Sequence, residues 1–215
     1  MNIHTKERLL PQVKILASLY ALTVLIILGI KMICAAKGLN LDAMLHDPLT
    51  VAQAPFYTGC LSNLGILGWA YAASVFFFGW QQALEHSASK GHTNFLFCSW
   101  IISTVLTLDD LFILHEDVFP SVLGIQEEAV YALYFALIAA YLLAFQKILR
   151  NKLAAILIPA LLFFGLSIVL DEIVTQLPLV LEEGAKLLGI LTWAFYAHTA
   201  ARYYSGAQIQ GTAKA

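Results

Sequence analysis

Apolar runs long enough to cross a bilayer take up most of this chain and leave little else for it to fold around. A transmembrane helix needs about 20 predominantly apolar residues, and such runs recur at roughly 13–36, 64–84, 94–116, 127–148, 153–176 and 182–203. Of the 215 residues, 60% are hydrophobic and 12% charged. A water-soluble domain of this size could not hide so much apolar surface. The pattern predicts an all-α fold, a polytopic membrane helix bundle with six transmembrane helices. No linker or low-complexity segment divides the chain, so residues 1–215 read as a single integral membrane domain. Residues 37–63, an outer loop, have room for a structured segment or a short interfacial helix. The first run is longer than the core of about 7–15 residues found in signal peptides, which favours a retained helix.

Charge sorts by side. In a six-span chain, nine of the twelve lysines and arginines fall on one side, and only Lys31, Lys37 and Lys186 on the other. The positive-inside rule then places the N-terminus and C-terminus in the cytoplasm, and the expected location is a bacterial inner (plasma) membrane. Of fourteen acidic residues only Glu7 and Glu85 lie on the inner side, so the other twelve gather at the outer one. A net charge of −2 gives no reason to expect a nucleic-acid partner. Cys34 and Cys60 both approach the outer side, where two free thiols are the simpler expectation.

The acidic residues also recur in pattern. Spans three and four contain "LTLDDLFILHEDVFPSVLGIQEEAV", and spans five and six contain "LSIVLDEIVTQLPLVLEEGAK". In each, an acidic pair near the end of one helix is followed by a proline-containing turn and then Glu-Glu. Asp109-Asp110 thus corresponds to Asp171-Glu172, and Glu127-Glu128 to Glu182-Glu183. Two parallel copies of a helical hairpin, related by an axis along the membrane normal, are expected. They would bring four acidic pairs together.

Helical spacing refines this expectation. If span three continues to Glu116, Asp109 lies about 10 Å below its outer end. Asp109 and Glu116 then share one face, and Asp110 and Asp117 another, continued inward by Ser103 and Thr107. Ser167, Asp171 and Thr175 line span five; Glu127, Tyr131 and Tyr134 line span four. Polar lines of this kind face a bundle interior or a wet cavity.

Glu127, Glu128, Glu182 and Glu183 are also explained by their place at helix starts, where the dipole favours negative charge, and Glu182 with Lys186 by an i, i+4 ion pair. Asp109, Asp110, Asp171 and Glu172 have no such explanation. Three outer cations face twelve acidic groups, so a shared cation or shared protons must relieve them. The expected ligands of a divalent metal ion are Asp109, Glu116, Glu128, Asp171 and Glu183, with Asp110, His115 and Glu172 as catalytic proton carriers. Carboxylates with one histidine suit Mg²⁺, Mn²⁺, Ca²⁺ or iron. His198 stands about 24 Å along its helix from Glu182, too far to join them, and reads as a core or interfacial residue.

These residues point first to a metal-dependent membrane enzyme, in which the ion polarises a lipid or other apolar small-molecule substrate and a carboxylate moves the proton. A cation or proton-coupled transporter is the alternative, and a non-enzymatic membrane subunit or ion/pH sensor is a third. The five residues "EEGAK" are similar to the Glu-Glu-x-x-x-Arg box of intramembrane proteases that process prenylated proteins. Lys186 comes one position early, and that group's histidine motifs are missing, so no activity carries over. The expected partners are the lipid bilayer and a homo- or hetero-oligomeric neighbour, packed through Gly65, Gly68 and nearby small residues.

Overall fold

The structure is a computed structural model describing residues 3–173 and 178–206, with the backbone alone described for 3–13, 15 and 171–173. Every regular element among the described residues is helical. The chain falls into two units, Met1–Thr58 and Gly59–Ala215.

The first unit holds α1 (Ile3–Lys37) and two short helices, α2 (Leu41–Leu45) and α3 (Pro48–Ala52). Gly38, with φ +65°, ends α1 in the left-handed conformation that glycine adopts at no steric cost. Asn40 caps α2 by accepting from the Asp42 amide at 2.9 Å, and Asp47 caps α3 by accepting from the Leu49 amide at 2.9 Å. The long loop is therefore structured, and two capped helices occupy it.

The second unit contains α4 (Cys60–Glu85), α5 (Lys90–Phe112), a π-helical segment (Leu114–Leu123), α6 (Glu127–Ala144), α7 (Gln146–Leu149), α8 (Ala154–Ile173) and α9 (Leu179–Tyr204). Trp69, Phe76, Phe95, Leu96, Trp193 and Tyr196 form its packed interior. Glycines let the helices close on one another. A Cβ on Gly68 would stand 2.6 Å from Ile190 Cγ2, and one on Gly79 would stand 2.7 Å from Ala201 Cβ. Since 68 meets 190 and 79 meets 201, α4 and α9 run parallel. The Phe164 ring of α8 lies over Gly189 and stacks on Trp69 with centroids 5.3 Å apart. Between α5 and α6, Ser99 Oγ and Tyr141 Oη approach to 2.7 Å.

Among the described residues, four helices are long and apolar enough to span a bilayer, not the six expected: Leu16–Lys37 of α1, α4, α5 and α6. Among the described residues α8 carries a shorter apolar stretch, Ala154–Leu170. Glu182, Glu183 and Lys186 open α9, and His198 and Arg202 lie near its end, so its apolar run is diluted.

A second correction concerns the end of span three. The α-helix stops at Phe112, and Ile113 takes φ +52°. A β-branched residue rarely adopts that conformation. The wider π-helical winding then begins, so the straight helix that would put Asp109 and Glu116 on one face does not exist.

Candidate functional site

The break at Ile113 creates the most distinctive polar contact in the molecule. It folds the chain back over the last turn of α5, so that residue 115 meets residue 109. The His115 amide donates to Asp109 Oδ1 at 3.1 Å, and His115 Nδ1 lies 2.6 Å from Asp109 Oδ2. Both residues are buried, Asp109 at 3% exposure and His115 at 6%. Tyr134 of α6 donates its hydroxyl to Asp109 Oδ1 at 3.0 Å, and the Tyr131 ring stands 5.3 Å from the imidazole. Asp109 thus has a donor on each oxygen and two on Oδ1. Three such contacts satisfy the hydrogen-bonding needs of a buried carboxyl group without a cation.

Burial by itself pulls the His115 pKa down. The hydrogen bond with Asp109 and the charges of Asp109 and Glu116 outweigh it, against opposition from Lys186, and hold the pKa above the ordinary 6.5. The remaining ring nitrogen, Nε2, lies 3.4 Å from Oε1 of the exposed Glu116 side chain.

Asp110 is satisfied differently. Trp69 of α4 donates its indole N–H to Oδ2 at 3.0 Å, and Lys186 of α9 places Nζ 3.1 Å from Oδ1. Beside this pair a cleft of about 10 Å³, room for about one water molecule, is lined in part by Ser62, Gly65 and Glu183. Three helices therefore meet on one carboxylate.

Lys186→Met should destabilise the protein by about 1–3 kcal/mol, because Asp110 would stay buried without its cation. Adding Asp110→Asn should recover part of that loss. A double-mutant cycle read by thermal unfolding checks the pairing, and strictly additive single effects would contradict it.

Of the expected metal ligands, the structure brings Asp109 and Glu116 together around His115, and Glu183 to the Asp110–Lys186 pair. Glu128 is exposed at the start of α6 and makes no hydrogen bond or ion pair among the described residues. Asp171 and Glu172 lie in the last turn of α8, and their side chains fall outside the described residues; Thr175 lies outside them altogether. No group of three His, Cys, Asp or Glu side chains among the described residues is arranged to hold a metal ion.

Parts of two polar lines read from spacing turn inward, at Ser103 on α5 and Tyr134 on α6. Ser103 is fully buried and accepts from the Trp193 indole at 3.0 Å. Tyr131 and Tyr134 both reach the Asp109–His115 pair. Two partners were missed: Trp69, which has no acidic residue near it in the chain, and Lys186, which helical spacing pairs with Glu182. Nothing local pairs either with Asp110.

A family model described as "Domain of unknown function (DUF8692)" matches residues 17–200. That covers most of the chain. The protein belongs to this family. The matched region takes in every residue of the Asp109–His115 and Asp110–Lys186 pairs. No curated protein and no solved structure matches the chain.

Proposed function

We propose that this chain is a six-pass protein of a bacterial inner membrane, with both termini in the cytoplasm. In this reading the Asp109–His115 pair is the acid–base centre of an enzyme acting on a lipid or other apolar substrate at the outer surface. The observation that carries it is the 2.6 Å contact between buried Asp109 and His115 Nδ1. With Asp109 Oδ2 as acceptor the proton sits on Nδ1 and Nε2 is the nitrogen able to take one, the division of labour found in acid–base histidines. Glu116, exposed and next to Nε2, connects that nitrogen to solvent. Six passes are supported by the alternating direction of α4, α5, α6, α8 and α9 and by the sorting of lysines and arginines. A duplicated hairpin remains part of the reading, on the strength of the matching acidic pairs.

The same contact favours a second form of the site. Metal-binding histidines commonly donate their other ring nitrogen to a carboxylate. A divalent ion (Mg²⁺, Mn²⁺, Ca²⁺ or iron) would then sit on His115 Nε2 and Glu116, with Asp109 as the orienting group rather than a ligand. Glu128, Asp171 and Glu183 are the further candidate ligands, and Asp110 and Glu172 the proton carriers. Transport has less support. Ser99, Ser103 and Thr107 each donate to a helix carbonyl four residues earlier, so their hydroxyl protons form no continuous path.

A histidine titration by NMR in nanodiscs tests the first form. His115 should titrate above 6.5, and the stability it contributes follows with a definite sign. Protonated His115 stabilises the fold fully below 6.5, and that contribution is lost as pH rises through its folded pKa. The melting temperature should therefore fall with rising pH above 6.5, and His115→Gln should flatten the curve. A midpoint at or below 6.5 would contradict the acid–base reading. Elemental analysis tests the second form: purified protein with no divalent metal, and no thermal stabilisation by any of the four ions, would remove it.

A further inference from the structure

Another polar pair lies away from Asp109, on the exposed side of the α4–α9 seam. Tyr71 Oη and His198 Nδ1 are 3.1 Å apart, and both side chains are exposed, Tyr71 at 48%. Tyr71 is close to the middle of the 26-residue α4, about 17 Å from its start. On the membrane reading proposed above, that position lies near the centre of the bilayer. Lipid tails there offer no hydrogen-bond partner, so polar groups facing outward need one from elsewhere.

The pair cannot satisfy itself. If Tyr71 donates to Nδ1, His198 keeps an idle Nε2–H donor and the Tyr71 oxygen an idle lone pair. If Nδ1–H donates to Tyr71, the tyrosine O–H becomes the idle donor and Nε2 the idle acceptor. Neither residue has another hydrogen-bond partner among the described residues. Every tautomer therefore leaves one donor and one acceptor side by side. A surface carrying both matches itself when turned through a twofold axis, which is the requirement for an isologous contact. Around the pair, Leu67, Phe78, Leu191 and Phe195 are exposed, an apolar surface suited to a facing helix pair.

We propose that a second copy of this chain docks on the α4–α9 face, with His198 of each copy hydrogen-bonded to the partner's Tyr71. The two pairs close into a ring of four hydrogen bonds. Two are internal to the copies and two join them.

The test uses full-length protein with Cys34, Cys60 and Cys98 changed to serine. In native membranes Phe195→Cys, one turn from His198, should cross-link to a species of twice the monomer mass. Phe135→Cys on α6, at 78% exposure, should not. In nanodiscs and detergent the protein should be dimeric, and Tyr71→Phe or His198→Ala should each weaken dimerisation about tenfold, the loss of two modest intramembrane hydrogen bonds. Combining them should weaken it no further, because each breaks the same ring. A monomer in the membrane, a cross-linked species of another mass, a dimer indifferent to both substitutions, or equal cross-linking through Phe135→Cys would overturn the proposal. Release of the protein by alkaline carbonate would instead overturn the membrane reading on which it rests.

Discussion

Asp109→Asn should lower stability by about 2–3 kcal/mol, because a carboxylate accepting three hydrogen bonds would be replaced by a group that donates from one side. For a chain of this length that is a fall of about 4–12 °C in melting temperature. The effect on chemistry should be larger. If the amide nitrogen faces His115 Nδ1, the imidazole must keep its proton on Nε2, the nitrogen that has to be free. Tautomer inversions of that kind cost up to about 10⁴ in rate in acid–base histidine enzymes. The check has two parts: turnover of membrane-lipid extracts followed by mass spectrometry, and the His115 titration, which should move down once the charge of Asp109 is gone. Tyr134→Phe serves as the graded control, because it removes one neutral hydrogen bond and leaves the charge, and should cost about 1 kcal/mol. A variant with unchanged melting and unchanged titration would show that Asp109 does not hold His115.

Gly79→Val should be among the most damaging single changes in the second unit. A Cβ at Gly79 would stand 2.7 Å from Ala201 Cβ and 3.2 Å from Ala201 Cα. A flexible side chain could rotate away, but a neighbouring helix backbone cannot, so α4 and α9 must separate. Overpacking of this sort costs about 1–3 kcal/mol even for small additions, and valine adds more than a methyl group. Gly79→Ala should fall within that range. Adding Ala201→Gly should recover most of the loss, because the methyl group is then moved from one helix to the other and not duplicated. Unfolding in detergent by heat or denaturant measures both. The consequence also reaches the polar site, since Trp69 of α4 and Lys186 of α9 both hold Asp110. Prising the seam apart should weaken that grip, and Trp69 fluorescence should report it. Failure of Ala201→Gly to rescue would mean that the close approach at Gly79 is not what limits packing there.

Some of the site could be read in advance from the residues themselves. Tyr131 and Tyr134 follow the start of α6 at helical spacing, and both reach the Asp109–His115 pair. Ser103 and Thr107 continue inward from Asp110 as helical periodicity requires. Reading span three as a straight helix to Glu116 failed at Ile113. An isoleucine gives no local signal for a left-handed turn, which glycine or asparagine would have given. That single residue converts an expected pairing of Asp109 with Glu116 into a contact of Asp109 with His115. Counting cations along the chain also left something out. It took no account of neutral donors, and the hydrogen bonds to Asp109 relieve a buried carboxylate much as a cation would.

The chain by itself determined the all-helical class, the order of the long helices and the gathering of acidic residues near particular helix ends. Hydropathy and charge are properties of consecutive residues, so they can be summed along a sequence without knowing what lies opposite. Only the tertiary structure decided that Asp110 meets Trp69 and Lys186, that α4 and α9 close through Gly68 and Gly79, and that Tyr71 and His198 share an open face. Each of those depends on which helix faces meet and at what height. A hydrogen bond that needs its atoms about 3 Å apart is not written in the period of either helix.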